Sequence, residues 1–132
     1  MDQIDKGWLI EQAAAITRDD VQRLLDNVQG VLEEMGEVNE LQELKADVKN
    51  AISMIQEYHD GNFDGVSWEK VAGLTYSILY LLDPGDGIPD NVPGIGFLDD
   101  FAILVLGLEM VQDEMDHFRE WTKEHLKENY HL

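Results

Sequence analysis

The 132-residue sequence predicts an all-α fold, a small helical bundle of four to five helices with a rigid Pro/Gly/Asp-rich loop between the last two. Three observations predict it. No alternation of apolar and polar residues is sustained anywhere, so no strand is expected. Apolar residues recur at spacings of three and four, which lines one face of a helix. The three prolines fall together in one short stretch, which leaves long segments free of helix breakers.

The first helix is expected from about Asp2 to Ala15. Thr17 is a plausible N-cap for the next, with Asp19 and Asp20 in the first turn, where acids favour the helix dipole. Val21, Leu24, Leu25, Val28, Val31, Leu32 and Met35 form one stripe, and Gly36 reads as a left-handed stop. Asn39 with Gln42 resembles a capping box that restarts the chain as a helix. A second stripe follows in Leu41, Leu44, Val48, Ala51, Ile52, Ile55 and Tyr58. Helices joined so briefly should lie antiparallel as a hairpin. Pairing with a second copy through these stripes is left open.

Ser67 is expected to cap a helix running to about Leu82. Trp68, Val71, Leu74, Ile78, Leu79 and Leu82 wrap most of its circumference, which places it in the centre of a core. The last helix is expected from near Phe97 to about Lys127, with Leu104, Leu108, Val111, Met115 and Phe118 on one stripe. Such a helix would reach ~45 Å, so its end should project from a small domain or meet a partner. Gly73 and Gly107 in otherwise apolar helices are expected to permit close helix crossings. The organisation expected is one helical domain over 1–132, with a helix and hairpin in 1–66 and a helix-loop-helix unit in 67–132.

Charge restricts function. Nine basic residues against 28 acidic ones leave a net −19. Nucleic-acid binding is excluded, because phosphates need Lys and Arg. Direct docking on anionic lipid is disfavoured for the same reason. The absence of cysteine removes disulfides, thiol catalysis and Cys-ligated zinc. The N-terminus has no basic region before its apolar part, so no signal peptide is read. No stretch has the ~18–20 apolar residues of a spanning helix. The expected location is cytoplasmic, with membrane association left open.

Two loops could carry chemistry. The first, Asp60 to Val71, opens D-x-N-x-D-G. Asp60, Asn62, Asp64 and Glu69 could supply oxygens to Ca²⁺, with Gly65 at the bend. The twelfth position is Val71 in place of a bidentate Glu. The competing structural reading makes the same residues a turn between helices, with Ser67 as cap. The second loop, Asp83 to Gly96, holds Pro84, Pro89, Pro93 and four of the eleven glycines. Ile88, Val92 and Ile95 are interleaved with these breakers, as in a loop packed on a core. From Val71 through Phe118 there are nine acidic residues and no Lys or Arg. Asp86, Asp90, Asp99 and Asp100 either cap turns and the last helix or hold a hard cation, Ca²⁺ or Mg²⁺. Glu114 and His117 form a single E-x-x-H, too few ligands for a di-iron bundle. No nucleophile motif, Walker loop or dinucleotide fingerprint is present.

The stretch YLLDPGDGIPDNVPGIGFLDDFAIL resembles the signature of the YkvA family, a bacterial domain of unknown function. Pro84, Asp86, Ile88, Pro89, Asp90, Pro93, Ile95, Gly96, Leu98, Asp99 and Asp100 match its pattern in order. The resemblance covers about Trp68 to Phe118. It implies a small helical domain with some membrane-associated members, and it implies no activity. The function expected is therefore a non-enzymatic helical module that binds another protein or joins a membrane complex. The alternative is a divalent-cation-binding protein or metal-dependent hydrolase centred on the acidic loop.

Overall fold

The computed structural model describes residues 5–36, 39–82 and 97–129. Every regular element among them is helical, so the all-α class holds. The helices are α1 (Lys6–Ala13), α2 (Arg18–Asp26), α3 (Val28–Gly36), α4 (Asn39–Gln42), α5 (Lys45–His59), α6 (Trp68–Leu82), α7 (Phe97–Met110) and α8 (Gln112–Asn129).

Local chemistry sets three of the helix starts. Asp5 caps α1, accepting the Trp8 N–H at 2.8 Å. Thr17 caps α2, and Asp20 returns a carboxylate to the Thr17 N–H at 2.9 Å, so two otherwise open donors are satisfied reciprocally. Ser67 Oγ accepts the Lys70 N–H at the start of α6.

The segment count exceeds the expected four to five because three expected helices are interrupted: between α4 and α5, where the Leu44 N–H bonds back to Leu41, and at two further points. The first break is at Asn27. Its side-chain amide donates to the Arg23 carbonyl at 2.7 Å, and its N–H turns to Leu24. An Asn side chain competes here with the helical ladder, and the helix resumes as α3 without losing its apolar face. The second break is at Val111, whose N–H bonds back three residues to Leu108. Met115 then donates to Val111, and both side chains stay buried. Helix α8 then packs on α5, and its side chains from residue 126 on lie outside the described residues.

One expected cap is also corrected, and the Asn39 side chain of the expected capping box lies outside the described residues. Gly36 ends α3 without a left-handed conformation; Gly61 is the residue with positive φ, at 83°. Gln42 donates its side-chain amide to the Gly36 carbonyl at 2.8 Å and so ties α4 to the end of α3. At the other end of the hairpin, Gln22 of α2 meets His59 of α5. Those two contacts make α2–α3 antiparallel to α5, as the short connection required.

The stripes of α2, α3 and α5 are buried inside the chain through Val21, Leu24, Val31, Met35, Val48 and Ile55. Helix α6 is central and packs on α1, α2, α3, α5 and α7. Its buried residues include Val71, Leu74, Ile78 and Leu81. The crossing with α7 is close because it is built on small residues. A Cβ on Gly107 would lie 2.8 Å from Ser77 Cβ, and one on Gly73 would lie 3.0 Å from the Met110 methyl. Real side chains do not tolerate the first distance, so Gly107 is required by the crossing. Among the described residues, no helix is long and apolar enough to cross a membrane.

Candidate functional site

Where the sequence places the calcium loop, the structure builds a helix terminus. Asp60 ends α5, and its carboxylate accepts the Gln56 amide at 3.0 Å. Gly61 N–H bonds to the Tyr58 carbonyl and Asn62 N–H to Glu57. That pair of bonds, closed by a left-handed Gly, is a Schellman cap. Phe63 and Val66 then turn inward and are buried, while Asp64 and Glu69 are exposed. No group of three His, Asp or Glu side chains among the described residues is placed to share a metal ion. Asp86, Asp90, Pro84, Pro89, Pro93 and Gly96 lie outside the described residues. Asp99 and Asp100 stand in the first turn of α7, and their side chains also lie outside the described residues.

Phe63 organises the neighbourhood of α8. Its ring lies 5.8 Å from His117, 5.1 Å from Phe118 and 5.4 Å from Trp121. Phe118 stacks on Trp121, and Trp121 in turn lies 3.8 Å from the His125 ring. Aromatic contacts of this kind hold rings in fixed orientations. Lys70 of α6 pairs with Glu114 of α8 at 2.5 Å and ties α8 to the central helix. The second Glu114 carboxylate oxygen is buried with no hydrogen-bond partner among the described residues. The E-x-x-H motif is thus divided: Glu114 faces Lys70, and His117 faces Phe63.

Two openings lie along α5 and α8. The first is a groove of about 340 Å³ where α5, α7 and α8 meet. Leu44, Val105, Leu108 and Met115 supply its apolar surface. Asp47, Glu109 and Asp116 stand at its rim, with Arg119 held to Asp116 at 2.6 Å. The second is a cleft of about 650 Å³ between α5 and α8. Asn50, Ser53, Gln56 and Glu57 form one wall, and Trp121, Lys123 and His125 belong to the other. Arg119 borders both openings.

Sequence reasoning did not single out this seam. Its signals were present but local: one Phe inside a polar loop, and Phe118, Trp121 and His125 at helical spacing. Nothing in the spacing shows that α5 and α8 meet, because that contact depends on the bend at Val111.

A family described as "Protein of unknown function (DUF1232)" matches residues 71–106. The "Uncharacterized membrane protein YkvA" of Bacillus subtilis (strain 168) is 32% identical over 68 residues, which cover 52% of this chain and 64% of that protein. The chain therefore spans a little under two thirds of that relative's length. No solved structure matches it significantly. The matched span contains most of α6 and α7, the two helices that cross at Gly107, and it carries the acidic Pro/Gly motif between them. Over residues 71–106 the chain is similar to a family whose description assigns it no function.

Proposed function

We propose that this protein is a non-enzymatic helical module that docks a basic segment of another protein in the groove between α5, α7 and α8. One observation carries this reading: an apolar surface of Leu44, Val105, Leu108 and Met115 bordered by Asp47, Glu109 and Asp116. An apolar strip with carboxylates along its edge is complementary to a helix with aliphatic residues on one face and Lys or Arg beside them. The net charge of −19 would steer such a segment towards the surface and repel acidic competitors. The YkvA-like relative is described as a membrane protein. Segments flanking spanning helices on the cytoplasmic side are rich in Lys and Arg. A cytoplasmic module bound to such a segment would be held at a membrane without inserting a helix of its own.

The test is a fluorescence-anisotropy titration with a labelled Lys/Leu amphipathic peptide and its Glu/Leu counterpart. The basic peptide should bind and the acidic one should not. Binding should weaken with added salt, because rim charges are screened within about 10 Å at 0.1 M ionic strength. Exchanging Asp47→Lys and Glu109→Lys should cost about tenfold or more in affinity, as buried anchors keep only part of the binding energy. Failure of the basic peptide to bind, or binding indifferent to the exchange, would overturn the reading.

A further inference from the structure

The cleft between α5 and α8 differs from the groove in position and in chemistry. On α8 its wall is the stripe Phe118, Trp121 and His125, at spacings of three and four. On α5 its wall is a polar stripe of Asn50, Ser53 and Glu57 at the same spacings, with Gln56 beside it. The groove uses other faces of the two helices, through Leu44 and Asp47 on α5 and Met115 and Asp116 on α8. An aromatic wall facing a polar one across about 650 Å³ suits a compact amphiphilic molecule. Sites for small molecules run ~300–1,000 Å³.

The polar groups left open in this cleft are acceptors. Arg119 is held to Asp116 at 2.6 Å and Lys123 to Glu120 at 3.6 Å, so each cation has a carboxylate of its own. Glu57 has no cation against it among the described residues. The Gln56 amide nitrogen donates to Asp60 at 3.0 Å, which leaves the Gln56 Oε1 as its open group. His125 Nδ1 lies 3.0 Å from the Trp121 carbonyl oxygen. A carbonyl can only accept, so Nδ1 carries the proton and Nε2 of the neutral ring is an acceptor. Glu57 and His125 are the last residues of their helices to line the cleft, so charge and ring nitrogen belong to its same end. Glu57 also stands in the last turn of α5, where a negative charge opposes the helix dipole. The helix gains nothing from this carboxylate, whereas a bound cation would.

We propose that the cleft is a binding site for a small primary amine in its ammonium form, with an apolar body. An ammonium has three donors and no acceptor, which matches an end built of Glu57, Gln56 Oε1 and His125 Nε2. The apolar body lies against Phe118 and Trp121, whose rings are held in place by Phe63. An anion of the same shape would face Glu57, and a quaternary ammonium would keep the charge but have no N–H to give. The site is independent of peptide docking in the groove.

The test titrates the full chain with phenethylammonium, read by calorimetry and by the indole N–H resonances of the three tryptophans. The Trp121 resonance should move, and those of Trp8 and Trp68, which do not line the cleft, should stay. Hydrocinnamate, the carboxylate of similar shape, should not bind. Glu57→Gln and trimethylation of the amine should each weaken binding about tenfold or more, as loss of charge-assisted hydrogen bonds does. Ser53→Trp, which fills the cleft from an exposed position on α5, should abolish binding. Circular dichroism melts establish that both variants fold, and Glu57→Gln removes a charge that the end of α5 does not need.

An unmoved Trp121 resonance at millimolar amine would overturn the site. Unchanged affinity in Glu57→Gln or Ser53→Trp, or equal binding of hydrocinnamate or of the trimethylated amine, would do the same. Loss of amine binding in Asp47→Lys with Glu109→Lys, with Glu57→Gln neutral, would move the amine to the groove and overturn the inference. Binding of the Lys/Leu peptide that displaces the amine and is lost in Glu57→Gln would assign the cleft to a protein lysine, with the same consequence. Failure of that peptide to bind, with the amine bound against Trp121, would overturn the groove reading alone.

Discussion

The α6–α7 crossing and the α5–α8 seam solve the same problem differently. Both bring two helices together within one core. At the first, Gly107 sits against Ser77 and Gly73 against Met110, so the backbones approach and the space is filled. At the second, Phe63, Phe118 and Trp121 pack on one another, and Phe118 and Trp121 line a cleft left open against α5. Small residues close one interface, whereas bulky rings line the other. Gly73 and Ser77 of the closed crossing lie in the span matched to the family, Gly107 and Met110 lie just beyond it, and the open seam lies mostly outside it.

The largest expected effect tests the ring row. Phe118 is 6% exposed and contacts Phe63 and Trp121. Phe118→Ala should cost about 3–5 kcal/mol in a urea melt, as truncation of buried aromatics does. A loss below about 1 kcal/mol would mean that the rings do not hold the seam.

The next effect tests the crossing. Gly107→Ala gains helix propensity but meets Ser77, and overpacking of this kind costs about 1–3 kcal/mol. Ser77→Gly in the same chain should recover part of the loss, because it removes the Cβ lying 2.8 Å away. A double-mutant cycle reads the coupling directly. An additive cycle would break the claim that these two positions meet.

A smaller effect concerns the entrance to α6. Ser67→Ala removes the acceptor for the Lys70 N–H and should cost about 1 kcal/mol, measured by thermal melt. Ser67→Asp should retain most of the stability, since a carboxylate also caps.

The smallest effect is visible only in alkali. Burial, and then the neighbouring Tyr80, push the Tyr76 hydroxyl up from 10.0 to about 12. A group that holds its proton more tightly when folded contributes stability that is complete below its unfolded pKa. That contribution should fade between pH 10.0 and about 12. Tyr76→Phe should flatten the stability profile in that window, and an unchanged slope would remove Tyr76 as its cause.

Much of the fold is legible because it depends on neighbours in sequence. Thr17 and Ser67 announce helix starts, since a cap needs only its own first turn. The stripes of α2, α3 and α5 announce buried faces, since periodicity survives whatever they face. The two breaks were illegible for the same reason. Asn27 and Val111 interrupt the backbone ladder without interrupting the apolar spacing, so the pattern reads straight through them. Gly36 misled because a glycine at a helix end permits a left-handed turn without compelling one. The D-x-N-x-D-G loop was ambiguous because turn residues and calcium ligands are the same residue types. Bonds from Gly61 and Asn62 back to α5 identify it as a helix cap, and those bonds exist only once α5 is formed.

The all-α class, the caps at Thr17 and Ser67 and the apolar stripes follow from the amino-acid order itself. Each rests on an interaction within one helix or on a side-chain volume. The seam does not. Its groove requires Leu44, Leu108 and Met115, from three helices, to face one space. Only the packing of α5, α7 and α8 brings them there. Charge shows the same division: composition sets the value of −19, while the tertiary structure puts Asp47, Glu109 and Asp116 beside apolar surface. A carboxylate in open solvent is screened, whereas one at the edge of an apolar groove can select a cationic partner.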